Sequence, residues 1–218
     1  MKKHMKKHIS LFALMFFAVN SLLAQSFDVM LPAAMSDKPL DGRLLLMLSK
    51  STTGEPRFQI SDDEKTQQVF GIDVDQWQPG TKKRIDIKAF GYPVETLKNI
   101  ENGTYRVQVL LHIYETFKRK DGHVVKLPMD RGEGQHWNIA PGNLHSVAKN
   151  IAYKADPKFI MNLSLEQRIQ PIKEPEDSKY VKHIKIKSKL LTEFWGRPMY
   201  LGAHILLPEG WDTHPDVR

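Results

Sequence analysis

The sequence predicts an all-β protein: a β-sandwich over residues 26–170, then a separate β-hairpin. Three observations predict it. From Phe27 onward apolar residues recur with a period of two, the apolar runs are short, and turn pairs such as Asp41-Gly42, Asn102-Gly103 and Asp121-Gly122 separate them. Half-buried antiparallel strands need that alternation, because successive side chains point to opposite faces of a sheet. A closed barrel is the alternative architecture. With 218 residues, 41% hydrophobic and 26% charged, the chain is large enough to bury a core.

Residues 1–24 carry the parts of a secretory signal. Lys2, Lys3, Lys6 and Lys7 precede an apolar run from Ile9 to Val19, and Asn20-Ser21-Leu22-Leu23-Ala24 supplies a cleavage end. The run is short for a spanning helix, which needs roughly 20 apolar residues. Export to the periplasm or the exterior is therefore expected, with no membrane attachment after cleavage. Four of the 32 Lys+Arg lie in this segment and all 25 Asp+Glu lie outside it, so the formal +7 falls to about +3 for the remainder. That balance gives no support to a nucleic-acid partner. The absence of Cys excludes disulfides, Cys-ligated zinc, thiol catalysis and a lipid-carrying cysteine.

Arg43–Ser49, with Leu44-Leu45-Leu46-Met47-Leu48 apolar at every position, predicts a central strand buried on both faces. Thr53-Gly54-Glu55-Pro56 should turn the chain into a short Phe58/Ile60 strand. Phe70, Ile72 and Val74 alternate with Gly71, Asp73 and Asp75, and the strand ends at Trp77-Gln78-Pro79-Gly80. Ile85, Ile87 and Ala89 repeat the pattern. The clearest strand is Thr104–Phe117, with Tyr105, Val107, Val109, Leu111, Ile113 and Phe117 on one face and Arg106, Gln108, His112 and Lys118 on the other. Its Asn102-Gly103-Thr104-Tyr105 opening resembles a turn-to-strand passage of immunoglobulin-like and fibronectin-like sandwiches, which implies that kind of sandwich here.

Periodicity fails between Arg119 and Asn143. Lys120-Asp121-Gly122-His123 is a hairpin tip, and residues 127–143 form a Gly/Pro-rich excursion long enough to suggest function. Strand character returns at Phe159, Met161, Leu163 and Leu165. Residues 171–179, with Pro171 and Pro175 among exposed charges, are the expected linker. In the hairpin, Ile184, Ile186 and Leu190 alternate with Lys185, Lys187 and Lys189, an apolar face backed by lysines that suit an exposed edge, and Met199–Leu207 is the second strand.

The C-terminal phrase Tyr200-Leu201-Gly202-Ala203-His204-Ile205-Leu206-Leu207-Pro208-Glu209-Gly210-Trp211-Asp212 resembles the opening strands of secreted esterases of the α/β-hydrolase superfamily. Blocks at Lys120–Met129, Gln135–Asn138, Pro141–Leu144, Lys179–Ile184 and Phe194–Pro198 are similar to their non-catalytic N-terminal region. The resemblance implies an accessory sandwich, with residues 180–218 opening a hydrolase domain that the chain does not contain, and a missing or separate hydrolase domain as partner. A serine hydrolase needs a nucleophile on a Gly-x-Ser-x-Gly elbow. Ser36, Ser49, Ser51, Ser61, Ser146, Ser164, Ser178 and Ser188 all lack those glycines, so no catalytic residue is assigned.

Glu133, Gln135, His136, Trp137 and Asn138 form the candidate ligand site, since an aromatic and several polar groups on a long loop can grip a carbohydrate or an ester. A free-standing exported module binding carbohydrate or a surface partner through that loop is the alternative function. His112, His123, His136 and His145 have no metal-ligand spacing and read as surface or loop residues. Asp62, Asp63, Glu64, Asp73 and Asp75 read as solvated carboxylates, since no calcium loop frames them. No cofactor is implied, and no glycine-rich phosphate loop occurs. Trp77, Trp195 and Trp211 should plug a core or a domain interface.

Overall fold

The computed structural model describes residues 25–173 and 175–213, so the expected signal peptide lies outside the described residues. The first strands follow the alternation directly: β1 (Ser26–Met30), β2 (Leu40–Ser49), β3 (Gln68–Trp77), β4 (Lys82–Ile85) and β5 (Phe90–Tyr92). The long β6 (Gly103–Lys118) begins at the predicted Asn102-Gly103 turn and runs through a tight tip into β7 (Val124–Pro128). At that tip Arg119 N–H donates to the His123 carbonyl at 2.8 Å. Four short strands follow: β8 (Leu144–His145), β9 (Lys149–Tyr153), β10 (Ile160–Ser164) and β11 (Gln167–Arg168).

Two sheets make the sandwich. In the larger, β6 pairs along one edge with β2, and its other edge is shared end to end by β9, β8 and β7. Beyond β2 lie β3 and β5, and beyond β8 lies β11. The smaller sheet places β1 between β10, parallel, and β4, antiparallel. Register sets the core rows: Phe70, Leu46 and Val109 stand side by side, as do Ile72, Leu44 and Leu111. Phe27, Val29, Ile85 and Leu163 of the smaller sheet close over them. The described sheets do not close into a barrel. Each fully buried Leu or Phe in such rows contributes about 1.5–3 kcal/mol. Trp77 is among the largest side chains of this core, as expected of it.

The central strand β2 is covered on its second face too, but by irregular chain rather than by a sheet. The buried Pro56 heads a 3-10 turn, Pro56–Phe58, that lies over Gln108, whose Oε1 accepts the Arg57 backbone N–H at 3.1 Å. This corrects the expected Phe58/Ile60 strand: Pro56 presets the turn, and the Phe58 N–H returns to the Glu55 carbonyl at 3.0 Å. The expected strand through Ile87 and Ala89 also stops early. Asp86 accepts the Lys88 N–H on its side chain and the Ala89 N–H on its carbonyl, turning the chain and leaving Ile87 exposed.

The C-terminal unit is β12 (Val181–Lys187), α1 (Lys189–Trp195) and β13 (Tyr200–Leu206), the strands paired antiparallel from Val181–Leu206 to Lys187–Tyr200. Lys189 and Leu190 were expected to prolong the strand and instead open the helix. Ser188 Oγ accepts the Leu191 N–H at 3.3 Å as an N-cap, and Gly196 ends the helix at φ 64°. No residue of the three elements is buried. Trp195 is half-buried and stacks edge-on against Phe117 at 5.0 Å, whereas Trp211 remains 39% exposed and plugs nothing among the described residues. Among the described residues no helix is long and apolar enough to cross a membrane.

Candidate functional site

The expected ligand loop is fastened mainly through its backbone. Glu133 is buried, and its Oε2 accepts the Arg131 backbone N–H at 2.7 Å, which closes the loop on itself. Gln135 is exposed, in the left-handed region at φ 66°, and His136 is exposed beside it. Trp137 is half-buried, and its carbonyl accepts from Asn143 Nδ2 at 2.9 Å. Asn138 exchanges two hydrogen bonds with Arg57, Nδ2 to the Arg57 carbonyl at 3.2 Å and its own carbonyl from Nη1 at 2.8 Å. The five residues therefore do not converge: Glu133 and Trp137 bond within the loop, and Asn138 fastens it to the 3-10 turn at Arg57.

That attachment continues into a polar cluster on the outer face of β6. Gln108, completely buried, donates from Nε2 to Glu55 Oε2 at 2.8 Å and to the Ser146 carbonyl at 3.1 Å. Glu55 also takes Arg57 Nε at 2.7 Å. Burial pushes the Glu55 carboxyl up, but the bonds from Arg57 and Gln108 outweigh it and hold the group below its ordinary value. His145, expected at the surface or in a loop, is buried here at the β8 pairing, because β8 tucks under the loop. Desolvation lowers its pKa, so the ring is neutral near pH 7. His112, half-buried on the same sheet face, is lowered for the same reason. Every polar side chain of the cluster has a partner, which makes it a fastening of loop to sheet.

Beside it opens a cleft of about 820 Å³, walled by residues 36–41, the 113–116 stretch of β6, both ends of the loop at Arg131 and Pro141-Gly142, and Arg168, Pro171 and Ile172. The segment expected as a bare linker thus supplies one wall. None of the five predicted ligand residues lines it. Two guanidinium groups converge on consecutive carbonyls at the loop base. Arg131 Nη1 donates to Pro141 O at 2.7 Å, and Arg168 Nη1 donates to Gly142 O at 3.0 Å. Gly142 sits at φ 88°, and a Cβ there would lie 3.3 Å from Arg131 Nη1, so the glycine permits this approach.

The acidic groups of the cleft have other cationic partners. Glu115 takes Arg131 Nη2 at 2.8 Å on one oxygen and Arg197 Nη1 at 2.7 Å on the other. Burial pushes its pKa up, yet the two guanidinium groups outweigh this and hold it down. Asp41 is buried and accepts the Gln76 backbone N–H at 2.7 Å, with Lys126 Nζ at 3.2 Å. Burial again opposes, but these donors and the Gln76 amide depress the carboxyl to about 2. Sequence reasoning missed Arg131 and Arg168. Arg131 adjoins the predicted loop, but Arg168 bonds to carbonyls 26 and 133 residues away, at Gly142 and Met35, and no local pattern marks it.

Of the other carboxylates read as solvated, Asp73 pairs with Arg43 at 2.7 Å and Asp75 with Lys126. Among the described residues no group of three or more His, Cys, Asp or Glu gathers to hold a metal ion. No protein-family model, curated protein or solved structure matches the chain.

Proposed function

We propose that the chain is the accessory, non-catalytic β-sandwich of a secreted esterase-like hydrolase, and that β12 and β13 are the opening strands of that hydrolase's own sheet. The observation that carries this reading is the unburied apolar face of the C-terminal unit. Cross-strand pairing puts Ile184, Ile186, Leu201, Ala203 and Ile205 on one face, where Ile186 and Leu201 are more than half exposed. A two-stranded sheet with such a face is marginal in water and gains stability when further strands or helices cover it. The unit touches the sandwich through Trp195 and Arg197, with the Arg197 guanidinium 4.0 Å above the Phe117 ring, so the hydrolase would be held at the β6–β7 end.

Two measurements test the reading. DNA beyond the Arg218 codon is expected to encode, in the same or a shifted frame, a Tyr-Pro-Val strand and later a Gly-x-Ser-x-Gly elbow; its absence counts against the proposal. The 218-residue chain is expected to show no turnover of p-nitrophenyl acetate. Turnover abolished by a serine-directed inhibitor would overturn the non-catalytic assignment.

A further inference from the structure

We infer that the cleft between β6, the loop base and the 168–172 segment is a binding site for a small organic carboxylate with an apolar body. This goes beyond the accessory role and holds whether or not a hydrolase domain follows. The charge distribution carries the inference. Asp37, Asp41 and Glu115 face Lys38, Arg131 and Arg168 around the cleft, an even count of signs. From outside the lining Lys126 lies between Asp41 and Asp75, and Arg197 joins Arg131 on Glu115. Five cations then face four carboxylates, an excess of one positive charge.

Arg168 is the centre of that excess. Its Nη1 and Nη2 donate to the Gly142 and Met35 carbonyls, and among the described residues no carboxylate pairs with it. Arg131 points Nη1 at the neighbouring Pro141 carbonyl but gives Nη2 to Glu115, so its charge is compensated where that of Arg168 is not. A guanidinium has five N–H donors in a rigid fork, and two of the five are used in each of these side chains. The unused donors of Arg168 suit the two oxygens of a carboxylate. Tyr114 and Thr116 stand in the same wall, the Thr116 hydroxyl donating to Asp41.

The rest of the lining sets the ligand's body. Pro39, Leu40, Ile113, Pro171 and Ile172 form apolar wall, and Ile172 is 45% exposed, offering its side chain to an incoming group. A volume of about 820 Å³ is in the range of small-molecule sites. Acyl or aryl acids satisfy both halves of the cleft, whereas a sugar acid satisfies the cations alone.

The test is titration of the full 218-residue chain with hexanoate, benzoate, hexanamide and glucuronate, followed by calorimetry and by amide shifts in two-dimensional NMR. Saturable binding of hexanoate or benzoate is expected, with shifts centred on Thr116, Gly142 and Arg168, and hexanamide should bind at least about tenfold more weakly. Arg168→Gln should weaken hexanoate binding by about tenfold or more while Arg168→Lys recovers part of it. Because Arg168 also braces the loop base, Lys38→Gln serves as the second variant: it removes a cleft cation without touching those carbonyl bonds, and should weaken hexanoate several-fold. No saturable binding of either acid, shifts elsewhere on the molecule, or unchanged affinity in both Arg168→Gln and Lys38→Gln would overturn the site. Glucuronate binding as tightly as hexanoate would overturn the apolar body.

Discussion

Asp41 shows how one residue ties several elements together. It sits on β2, yet it holds Gln76 of β3 in the left-handed region at φ 44° and receives Thr116 of β6 and Lys126 of β7. Its carboxyl is depressed from 3.8 to about 2, so its stabilisation is fully present above the unfolded value and is lost as pH falls through the folded one. The shift corresponds to about 2 kcal/mol. Asp41→Asn is therefore expected to lower the urea-unfolding free energy by about that amount at pH 7, and the two curves should converge below about pH 2. Equal loss at both pH values would refute the electrostatic account. At this scale the sequence was a partial guide. Asp41-Gly42 was readable as turn chemistry, but Gln108 alternated onto a face that looked solvent-facing, and only the covering 3-10 turn buries it. Period-two reasoning assigns faces and cannot say what lies over them.

Among the elements, β6 was the most legible because its apolar alternation holds from Tyr105 to Ile113 and a strong turn precedes it. The helix α1 was the least, although its signals were there: Ser188 as cap, then Leu190, Leu191 and Phe194 at helical spacing, then Gly196 and Pro198. The preceding Ile-Lys alternation masked them. Helix α1 rests on the sandwich through a stack in which Phe194 meets Trp195 at 4.9 Å, Trp195 meets Phe117 at 5.0 Å, and Arg197 covers Phe117. Trp195→Ala should free the C-terminal unit from that support. Amide exchange across residues 181–206 is expected to quicken by about tenfold or more, with the β2 and β6 core amides unchanged. Acceleration in the core amides as well would mean the unit is part of the sandwich's cooperative fold.

For the whole molecule the division lies between a sandwich that buries its own core and a hairpin unit whose strands and helix contain no buried residue. A chain ending at Lys173 is expected to melt within about 3 °C of the longer one, since the core rows of the two sheets lie wholly before that point. It should also bind less of a hydrophobic dye, having shed Ile186, Leu190, Leu201 and Leu206. A large drop in melting temperature would show that the hairpin supports the sandwich. The all-β class and the sandwich were legible from periodicity and turns. The cleft was not, because its walls come from residues near 37, 115, 131, 142, 168 and 172, brought together only by the strand order.

The parallel pairing of β1 with β10 has a consequence for how the protein comes into being. Ser26–Met30 find their parallel neighbours at Ile160–Ser164, so the smaller sheet cannot be completed until nearly all of the sandwich has been synthesised. The centre of the larger sheet has no such delay, since β2, β3, β5 and β6 all lie before residue 119. A nascent chain therefore carries an apolar sheet face covered only by β1 and β4, without Leu163 of β10, until residue 164 has emerged. For that interval the uncovered part of that face is where association with other chains would start.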